Sequence, residues 1–335
     1  MERYLFLLME QHFPPVSVVI PILNEADHLR AAVHTILSQK YSGELEVILV
    51  VGPSHDGTEK IAKELADHDR RVIVMTNPTG RTPNALNIGF ARASHSIVVR
   101  IDGHSEIDSL YIAHAVETME KTGAVNVGGI MAAEGITPFQ KAVARAMRSV
   151  IGVGASRFHT GGDAGPADTV YLGTFNKKAV LDIGGYDEEF TRAQDWEMNY
   201  RLRKTGGKVW FDPRLVVTYR PRRSIAQLAR QYFEYGRWRR AVSRRYPETV
   251  NFRYLAPPSA VVISLASILA AIVITPLYGI PVYTYLVALI LSSLVIGQSW
   301  SERMRLPIVL LTMHMAWGIG FLSSPRRLVQ GNLSS

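Results

Sequence analysis

The chain of 335 residues contains no cysteine. That absence excludes disulfide bonds, thiolate nucleophiles and zinc sites with cysteine ligands, although it does not identify a cellular compartment. Residues 1–13 also lack a basic leader and a small-residue cleavage site, so the sequence does not predict a signal peptide there.

Charged residues are missing from two stretches in the last quarter of the sequence. No Asp, Glu, Lys or Arg occurs from residue 256 to 300, nor from 306 to 325. Breaks at 278–281 and 301–305 divide them into apolar segments of roughly 20, 18 and 20 residues, each about long enough to cross a hydrocarbon core of about 30 Å. We therefore expect a membrane region over residues 256–335, with two to three apolar segments.

Arginines beside these segments predict their orientation. Arg303 and Arg305 follow the second segment, and an arginine-rich stretch precedes the first. Because basic loops favour the cytoplasmic side, the first two segments form a hairpin. A third full span would place Arg326 and Arg327 outside, so a re-entrant or interfacial third segment is the alternative. We expect the plasma (inner) membrane, with the catalytic domain on its cytoplasmic face.

The net charge of +8 is compatible with nucleic acid, an anionic membrane surface or phosphorylated substrates. Nine arginines against one glutamate lie between residues 219 and 245, interleaved with Tyr, Phe and Trp and followed by the apolar region. We interpret residues 219–255 as a basic amphipathic segment that contacts lipid headgroups, and we expect no nucleic-acid partner. A solvated basic helix is the simpler alternative.

Apolar β-rich runs alternate with amphipathic stretches from residue 16 onward. The runs VSVVIP, EVILVV, RVIVM and SIVVRI are almost continuously hydrophobic. Strands of this kind, separated by helices, predict a parallel sheet that is covered on both faces. We expect an α/β domain with a Rossmann-like, mostly parallel sheet over residues 1–218, and ligand binding beyond the carboxyl ends of its strands.

Polar residues follow the first two of these runs. Asn24 and Glu25 come at the end of VSVVIPILNE, and Asp56 lies in SHDGT after the second run. Asn24 and Asp56 each have a simple interpretation as a helix cap. The alternative is that these side chains and the backbone amides beside them meet a nucleotide.

The stretch VRIDGHSEI places Asp102 and His104 directly after another run. A carboxylate and an imidazole at a strand end can bind Mn²⁺ or Mg²⁺ together with diphosphate oxygens. Asp195 lies just ahead of a predicted helix near residues 196–205. It is either a cap favoured by the helix dipole or a general base for an incoming hydroxyl.

The order of these motifs resembles that of a known family. VSVVIPILNE, SHDGT, NIGFARA, DGH, GGYDEEF with AQDWE, and QYFEYGRW follow one another as in the inverting glycosyltransferases of family 2, which have the GT-A fold. Within that family, NIG, R-x-D-x-H and QYFxYGRW are most similar to the ExoA-type succinoglycan biosynthesis glycosyltransferases. The resemblance covers residues 14–245.

The resemblance implies roles for the matching residues. Asp195 would be the catalytic base, and Asp102 with His104 would hold a divalent cation, Mn²⁺ or Mg²⁺. The residues that would bind the nucleotide-sugar donor lie near the strand ends: Pro21, Asn24, Glu25, Asp56 and Asp102.

A second group of residues is expected on the acceptor and diphosphate side. Gly173 and Thr174, in YLGTFN, would form an acceptor-side loop, with a turn between strands as the alternative. Gln231, Arg237 and Trp238 resemble the Q-x-x-R-W element of processive relatives, with two extra residues in the spacing. A lipid-headgroup contact is the alternative for these three.

We therefore expect an enzyme that transfers a sugar, with inversion, from a nucleotide sugar to a lipid-linked saccharide in the synthesis of an exopolysaccharide or a related glycan. A UDP-linked donor is expected, although Val51 and Gly52 stand where many relatives carry an aspartate that reads uracil. The alternatives are a polyprenyl-phosphate sugar synthase and a catalytically silent nucleotide-sugar-binding scaffold. The partners would be the donor, a polyprenyl-linked acceptor and the bilayer; a homo-oligomer stays open.

Overall fold

The computed structural model describes residues 13–329. Residues 1–12, for which the sequence predicts no signal peptide, therefore lie outside the described residues. The strands are β1 Val16–Ile22, β2 Leu45–Val51, β3 Val72–Thr76, β4 Ile97–Arg100, β5 Glu106–Ile107, β6 Asn126–Ala133, β7 Gly165–Pro166, β8 Tyr171–Asn176 and β9 Val209–Tyr219. The helices are α1 Leu29–Leu37, α2 Thr58–His68, α3 Thr82–Arg92, α4 Tyr111–Thr122, α5 Pro138–Met147, α6 Val150–Val153, α7 Arg157–Thr160, α8 Lys177–Asp182, α9 Gln194–Lys204, α10 Ile225–Arg245, α11 Phe252–Val273, α12 Ile280–Ile296 and α13 Trp300–Ser323.

The nine strands of the described residues form one sheet in the order β3-β2-β1-β4-β8-β6-β9-β5, with β7 paired to β9. β3, β2, β1 and β4 run parallel to one another, as the continuous apolar runs predict. β8 is antiparallel to both β4 and β6, so the second half of the sheet is mixed. The carboxyl ends of β1, β2 and β4 therefore open at one edge.

Helices cover both faces of the sheet. Alternate residues of a strand point to opposite faces and therefore enter different cores. On β1, Val18 and Ile20 join the core that includes Leu29 of α1 and Ile112 of α4. Val19 joins the opposite core, with residues of α3 and α9. Gly89 on α3 permits a close approach there, since a Cβ at that position would lie 2.2 Å from a methyl carbon of Val19.

The chain divides into two compact units. The first comprises the described residues up to Ile130 together with Gly162–Val217, and the second comprises Met131–Gly161 together with the described residues from Thr218. A single boundary after residue 218 therefore does not describe the division. The physical reason is that α5 and α6, which precede the boundary in sequence, pack on α13 in the second unit.

Three helices of the second unit are long and apolar enough to cross a membrane, judged by length and composition. These are Phe252–Val273, Pro276–Ile296 and Trp300–Ser323, in the part of the chain that the structure describes. The arginine-rich segment preceding them forms α10, which buries Leu228, Tyr232 and Trp238. Together these features indicate a membrane protein.

Candidate active site

The loop after β1 is held in shape by the loop after β2. Asn24 has a left-handed backbone (φ 55°), and its side-chain oxygen accepts a hydrogen bond from the His55 amide at 2.9 Å. Its own amide donates to the Ser54 hydroxyl at 3.0 Å. Helix α1 begins only at Leu29, so the interpretation of Asn24 as its cap is wrong. Asn24 instead joins two loops at the sheet edge.

Asp56 completes this connection. Its carboxylate accepts from the Ala26 amide at 3.0 Å and from the amide and hydroxyl of Thr58 at 3.1 and 2.5 Å. The hydroxyl of Thr58 in turn accepts from the Glu25 amide at 2.8 Å. These hydrogen bonds lower the pKa of the Asp56 carboxyl, and the bond from the Thr58 hydroxyl has the largest effect. Asp56 therefore fixes the loop that presents Asn24 and Glu25.

Glu25 orients His104 at the same edge. Its Oε1 lies 2.7 Å from the Nδ1 of His104. Gly103 lies against Glu25, because a Cβ there would stand 3.1 Å from the Glu25 Cγ. A carboxylate on one imidazole nitrogen fixes the ring and directs the other nitrogen, Nε2, toward a potential ligand. Pro21 lies on β1, opposite Val50 of β2 and just before this loop.

A buried arginine bonds to both Asp102 and Asp195, the carboxylates predicted to be a metal ligand and a general base. The side chain of Arg100, at the end of β4, is only 5% exposed. Its Nε donates to the Oδ1 of Asp102 at 3.1 Å, and its Nη1 donates to the Oδ1 of Asp195. Arg100 and Asp195 are 95 positions apart in sequence. The guanidinium therefore fixes the separation of the two acids.

The surroundings of Asp195 suit a proton acceptor. Desolvation raises the pKa of its carboxyl above the ordinary value, the positive charge of Arg100 opposes this, and the negative charge of Asp102 adds to it. Burial, with the charge of Asp195, likewise raises the pKa of the Tyr186 hydroxyl. The side chain of Asp195 is nevertheless 38% exposed, so a reactant can approach it. A carboxyl with a raised pKa and an accessible face is typical of a general base.

The turn before α9 places Asp195 through two hydrogen bonds from α3. Asn87, in the NIG motif, accepts from the Tyr186 amide at 2.8 Å and donates to the Tyr186 carbonyl at 2.9 Å. Gly185 has a φ of +72°, and a Cβ there would lie 2.5 Å from the Asn87 side-chain oxygen. Asp195 follows in the first turn of α9, whose cap residue is Ala193, so Asp195 is not the cap. The NIG and GGYDEEF motifs are thus one structural unit.

Asp102 and His104 are the residues that could hold a cation at this edge of the sheet, and that role stays a prediction. Asp102 and His104 present a carboxylate oxygen and an imidazole nitrogen, which Mn²⁺ accepts together. No group of three or more His, Cys, Asp or Glu residues suited to a metal occurs within residues 13–329. A cation held by Asp102 and His104 would take its remaining ligands from a bound diphosphate and water.

Comparison with known proteins shows the family to which this chain belongs. Residues 17–181 match the model of the family described as Glycosyl transferase family 2. The succinoglycan biosynthesis protein ExoA of Rhizobium meliloti (strain 1021) is 31% identical over 308 residues, which cover 91% of this chain and 93% of that protein. The chain belongs to glycosyltransferase family 2.

Two further glycosyltransferases are similar along nearly the whole chain. The dolichyl N-acetyl-alpha-D-glucosaminyl phosphate 3-beta-D-2,3-diacetamido-2,3-dideoxy-beta-D-glucuronosyltransferase of Methanococcus voltae is 25% identical and covers 95% of this chain and 98% of its own. The solved structure of mannosyltransferase PcManGT from Pyrobaculum calidifontis, in complex with GDP-Man and Mn²⁺, has a TM-score of 0.60. It is 18% identical and covers 93% of this chain and 88% of its own. The predicted GT-A fold is confirmed, and the protein is a family 2 glycosyltransferase of polysaccharide or glycan biosynthesis.

Two of the predicted acceptor-side residues lie within the sheet of this glycosyltransferase. Gly173 and Thr174 belong to β8, where Thr174 is fully buried and pairs with Val99 of β4 and Val127 of β6. Both the loop and the turn interpretations of this pair are therefore wrong. The reason is that β8 is a central strand covered on both faces, a position that its mixed sequence does not reveal.

The other three predicted acceptor-side residues lie on α10, in the second unit. The side-chain nitrogen of Gln231 donates to the hydroxyls of Tyr219 and Tyr235, both at 2.8 Å. The Nη1 of Arg237 donates to Glu234 at 2.8 Å. Trp238 is buried. The roles of these residues toward diphosphate or acceptor stay predictions.

The sequence alone does not assign Arg100 and Tyr186 to the site. Arg100 is nevertheless unusual in the sequence, because it is a charged residue at the end of an otherwise apolar strand, SIVVRI. A buried arginine requires counter-charges, and Asp102 two positions later supplies one of them. Nothing near Tyr186 in sequence indicates that it adjoins Asp195.

Proposed function

We propose that this glycosyltransferase transfers a sugar, with inversion, from a nucleotide sugar to a lipid-linked saccharide at the cytoplasmic face of the plasma membrane. The observation that carries the proposal is the bridge of Arg100 between Asp102 and Asp195. Asp102 lies with the strand-end loops, which suit a nucleotide diphosphate. Asp195 lies at an accessible position, which suits a base. Inverting transfer requires both functions side by side.

The reaction is a single displacement in which Asp195 accepts the proton of an acceptor hydroxyl. That oxygen forms a bond to the anomeric carbon while the bond from this carbon to the diphosphate oxygen breaks. The nucleoside diphosphate leaves with the electron pair. An α-linked donor therefore gives a β-linked product.

Asp102 and His104 would hold a divalent cation, Mn²⁺ or Mg²⁺, and Glu25 keeps the His104 ring in place. Such a cation supplies positive charge that stabilises the departing diphosphate. The loops around Asn24 and Asp56 provide the backbone frame for the nucleotide, for which we retain a UDP-linked donor as the first candidate. The Mn²⁺ present with PcManGT supports the choice of a divalent cation.

The lipid-linked acceptor is proposed because the chain carries three apolar helices after its catalytic fold. An acceptor saccharide on a polyprenyl diphosphate would be held at the membrane surface by its lipid. The basic helix α10 would meet phosphate groups there, which agrees with the nine arginines of residues 219–245. The relatives named for succinoglycan and for a dolichyl phosphate-linked sugar are consistent with this acceptor class.

The test measures transfer from a panel of radiolabelled UDP- and GDP-sugars to polyprenyl-linked acceptors, using purified protein in lipid vesicles. We expect product from wild type and a loss of at least about 10³-fold in Asp195→Asn, because the amide cannot accept the proton. Asp182→Asn, at an exposed carboxylate that pairs with Lys178, is the matched control and should retain activity. Equal activity of Asp195→Asn and wild type would contradict the assigned base.

The same panel separates the rival functions. A polyprenyl-phosphate sugar synthase would use the lipid phosphate as acceptor, and Asp195→Asn would then remain active because a phosphate oxygen needs no base. A silent scaffold would bind nucleotide without transfer or hydrolysis across the panel.

A further inference from the structure

Helix α13 is covered by protein to a different extent from the other two apolar helices. Within the most apolar window of each helix, 39% of α13 is buried, against 11% for α11 and 17% for the α12 segment. The helices α11 and α12 are thus exposed almost all round, as lipid-facing spans are. The identity of the segments that cover α13 decides whether it crosses the bilayer.

The amino-terminal half of α13 contacts α5 and the residues that follow it. The Nε of Arg145 lies 3.4 Å from the Oε2 of Glu302, a carboxylate that is nearly buried, and Arg145 also bonds to Gln298. Farther along, the Nε2 of His314 lies 2.8 Å from the Ile151 carbonyl oxygen. Charged and polar groups therefore meet α13 from its first turn to its middle.

The carboxyl-terminal half of α13 contacts α10. A Cβ on Gly236 would lie 1.9 Å from the Trp317 carbonyl oxygen, so the two helix backbones touch. The guanidinium of Arg240 stands 4.9 Å from the centre of the Phe321 ring. Arg244 donates to the backbone carbonyl oxygens just beyond the helix, including that of Ser324 at 2.9 Å. Arginines thus flank this end of α13 as well.

These contacts conflict with a transmembrane position of α13. At 24 residues the helix is about 36 Å long, so an upright helix would put its ends on opposite sides of a hydrocarbon core of about 30 Å. Yet α5 and α10 both carry exposed charges, such as Lys141 and Arg230, and charged segments are excluded from that core. The three candidate spans found among the described residues all follow residue 251, so α5 and α10 share one side.

The exposed face of α13 carries apolar side chains near both ends of the helix, with buried and half-buried residues between them. Its exposed members recur at helical spacing and include an aromatic residue at the first turn, where aromatic side chains suit the boundary between headgroups and acyl chains. The members more than 40% exposed are Trp300, Met304, Ile308, Ile319 and Leu322.

We propose that α13 lies in the plane of the membrane surface, with its Trp300-to-Leu322 face toward the acyl chains and its other sides packed on α5, α10, α11 and α12. Only α11 and α12 then cross the bilayer. The ends of α13 lie on the side of the catalytic fold, and Arg326 and Arg327 follow the positive-inside tendency. The partner of this surface is the lipid bilayer, and the proposal is independent of the reaction catalysed.

The absence of native cysteine allows a direct test by single substitutions. Ser301→Cys and Arg327→Cys report the two ends of α13, Lys63→Cys reports the catalytic fold, and Tyr278→Cys reports the turn between the two spans; all four positions are exposed. A membrane-impermeant maleimide is added to sealed right-side-out and inside-out vesicles. We expect Ser301→Cys, Arg327→Cys and Lys63→Cys to react from one side and Tyr278→Cys from the other.

Reaction of Arg327→Cys from the side of Tyr278→Cys, or only after detergent is added, would overturn the proposal. Spin labels on Met304→Cys, Ile308→Cys and Leu322→Cys give a second measurement, the depth below the lipid phosphates. An in-plane helix gives equal depths within a few ångströms. A spanning helix places residue 308 deeper than 304, by about 6 Å for a rise of 1.5 Å per residue.

Discussion

Replacing Arg100 with methionine should move the acid limb of the pH–activity profile upward. Arg100→Met removes the guanidinium that contacts both Asp102 and Asp195, while methionine retains much of the buried apolar stem. The positive charge of Arg100 lowers the pKa of the Asp195 carboxyl. Without it that pKa rises, so the base becomes protonated, and activity is lost, at a higher pH than in wild type.

The size of the shift follows from the geometry. Two unit charges about 4 Å apart interact by about 4 kcal/mol at an effective dielectric constant of about 20. Asp195 is 38% exposed, so solvent screening reduces this figure. We take about 1.4 to 2.8 kcal/mol, which corresponds to an upward shift of about one to two pH units.

The assay is the pH dependence of kcat/KM for wild type, Arg100→Met and Arg100→Lys, since kcat/KM reports the ionisation of the free enzyme. Arg100→Lys keeps the charge but loses the planar fork, so its acid limb should stay within about half a pH unit of wild type while kcat falls. Thermal unfolding identifies any variant that does not fold. An acid limb of folded Arg100→Met that coincides with that of wild type would refute the electrostatic role.

Three further predictions concern the loops and the helix packing. Glu25→Gln should weaken Mn²⁺ binding about 10- to 100-fold in titrations with UDP or GDP present, because the carboxylate on His104 is lost; unchanged affinity would exclude that orienting role. Asp56→Ala should lower the melting temperature at pH 7, and the difference from wild type should shrink as the pH falls below about 4, because the folded-state pKa of Asp56 is lowered; a difference that does not depend on pH would contradict this origin. Gly236→Val should lower the melting temperature in detergent, since its Cβ would collide with the Trp317 carbonyl oxygen; a melting temperature equal to that of wild type would show that α10 and α13 are not packed this closely.

The parallel half of the sheet could be predicted because its physics is local. β1, β2 and β4 are continuous apolar runs, and such runs are stable only when both faces are covered. Residues that follow such strands must then emerge at one edge, which brings Asp102 close to Asn24 and Asp56 without knowledge of any contact. The motif order added Asp195 to this group.

The contacts that make these residues a site depend on partners far apart in sequence. Asn24 looks like a helix cap until the His55 amide, 31 positions later, is found on its side chain. Arg100 is recognisable as unusual, but its pairing with Asp195 requires the turn that Asn87 holds. The burial of Thr174 depends on strands β4 and β6, which are remote from it in sequence.

The anomeric configuration of the product tests the central claim most directly. With an α-linked UDP- or GDP-sugar and a polyprenyl-linked saccharide as acceptor, the one-bond carbon–proton NMR coupling at the new anomeric carbon distinguishes the two outcomes. A single displacement with Asp195 as base predicts a β-linkage. An α-linkage would contradict the account, because retention requires a second displacement that this arrangement of Arg100, Asp102 and Asp195 does not provide.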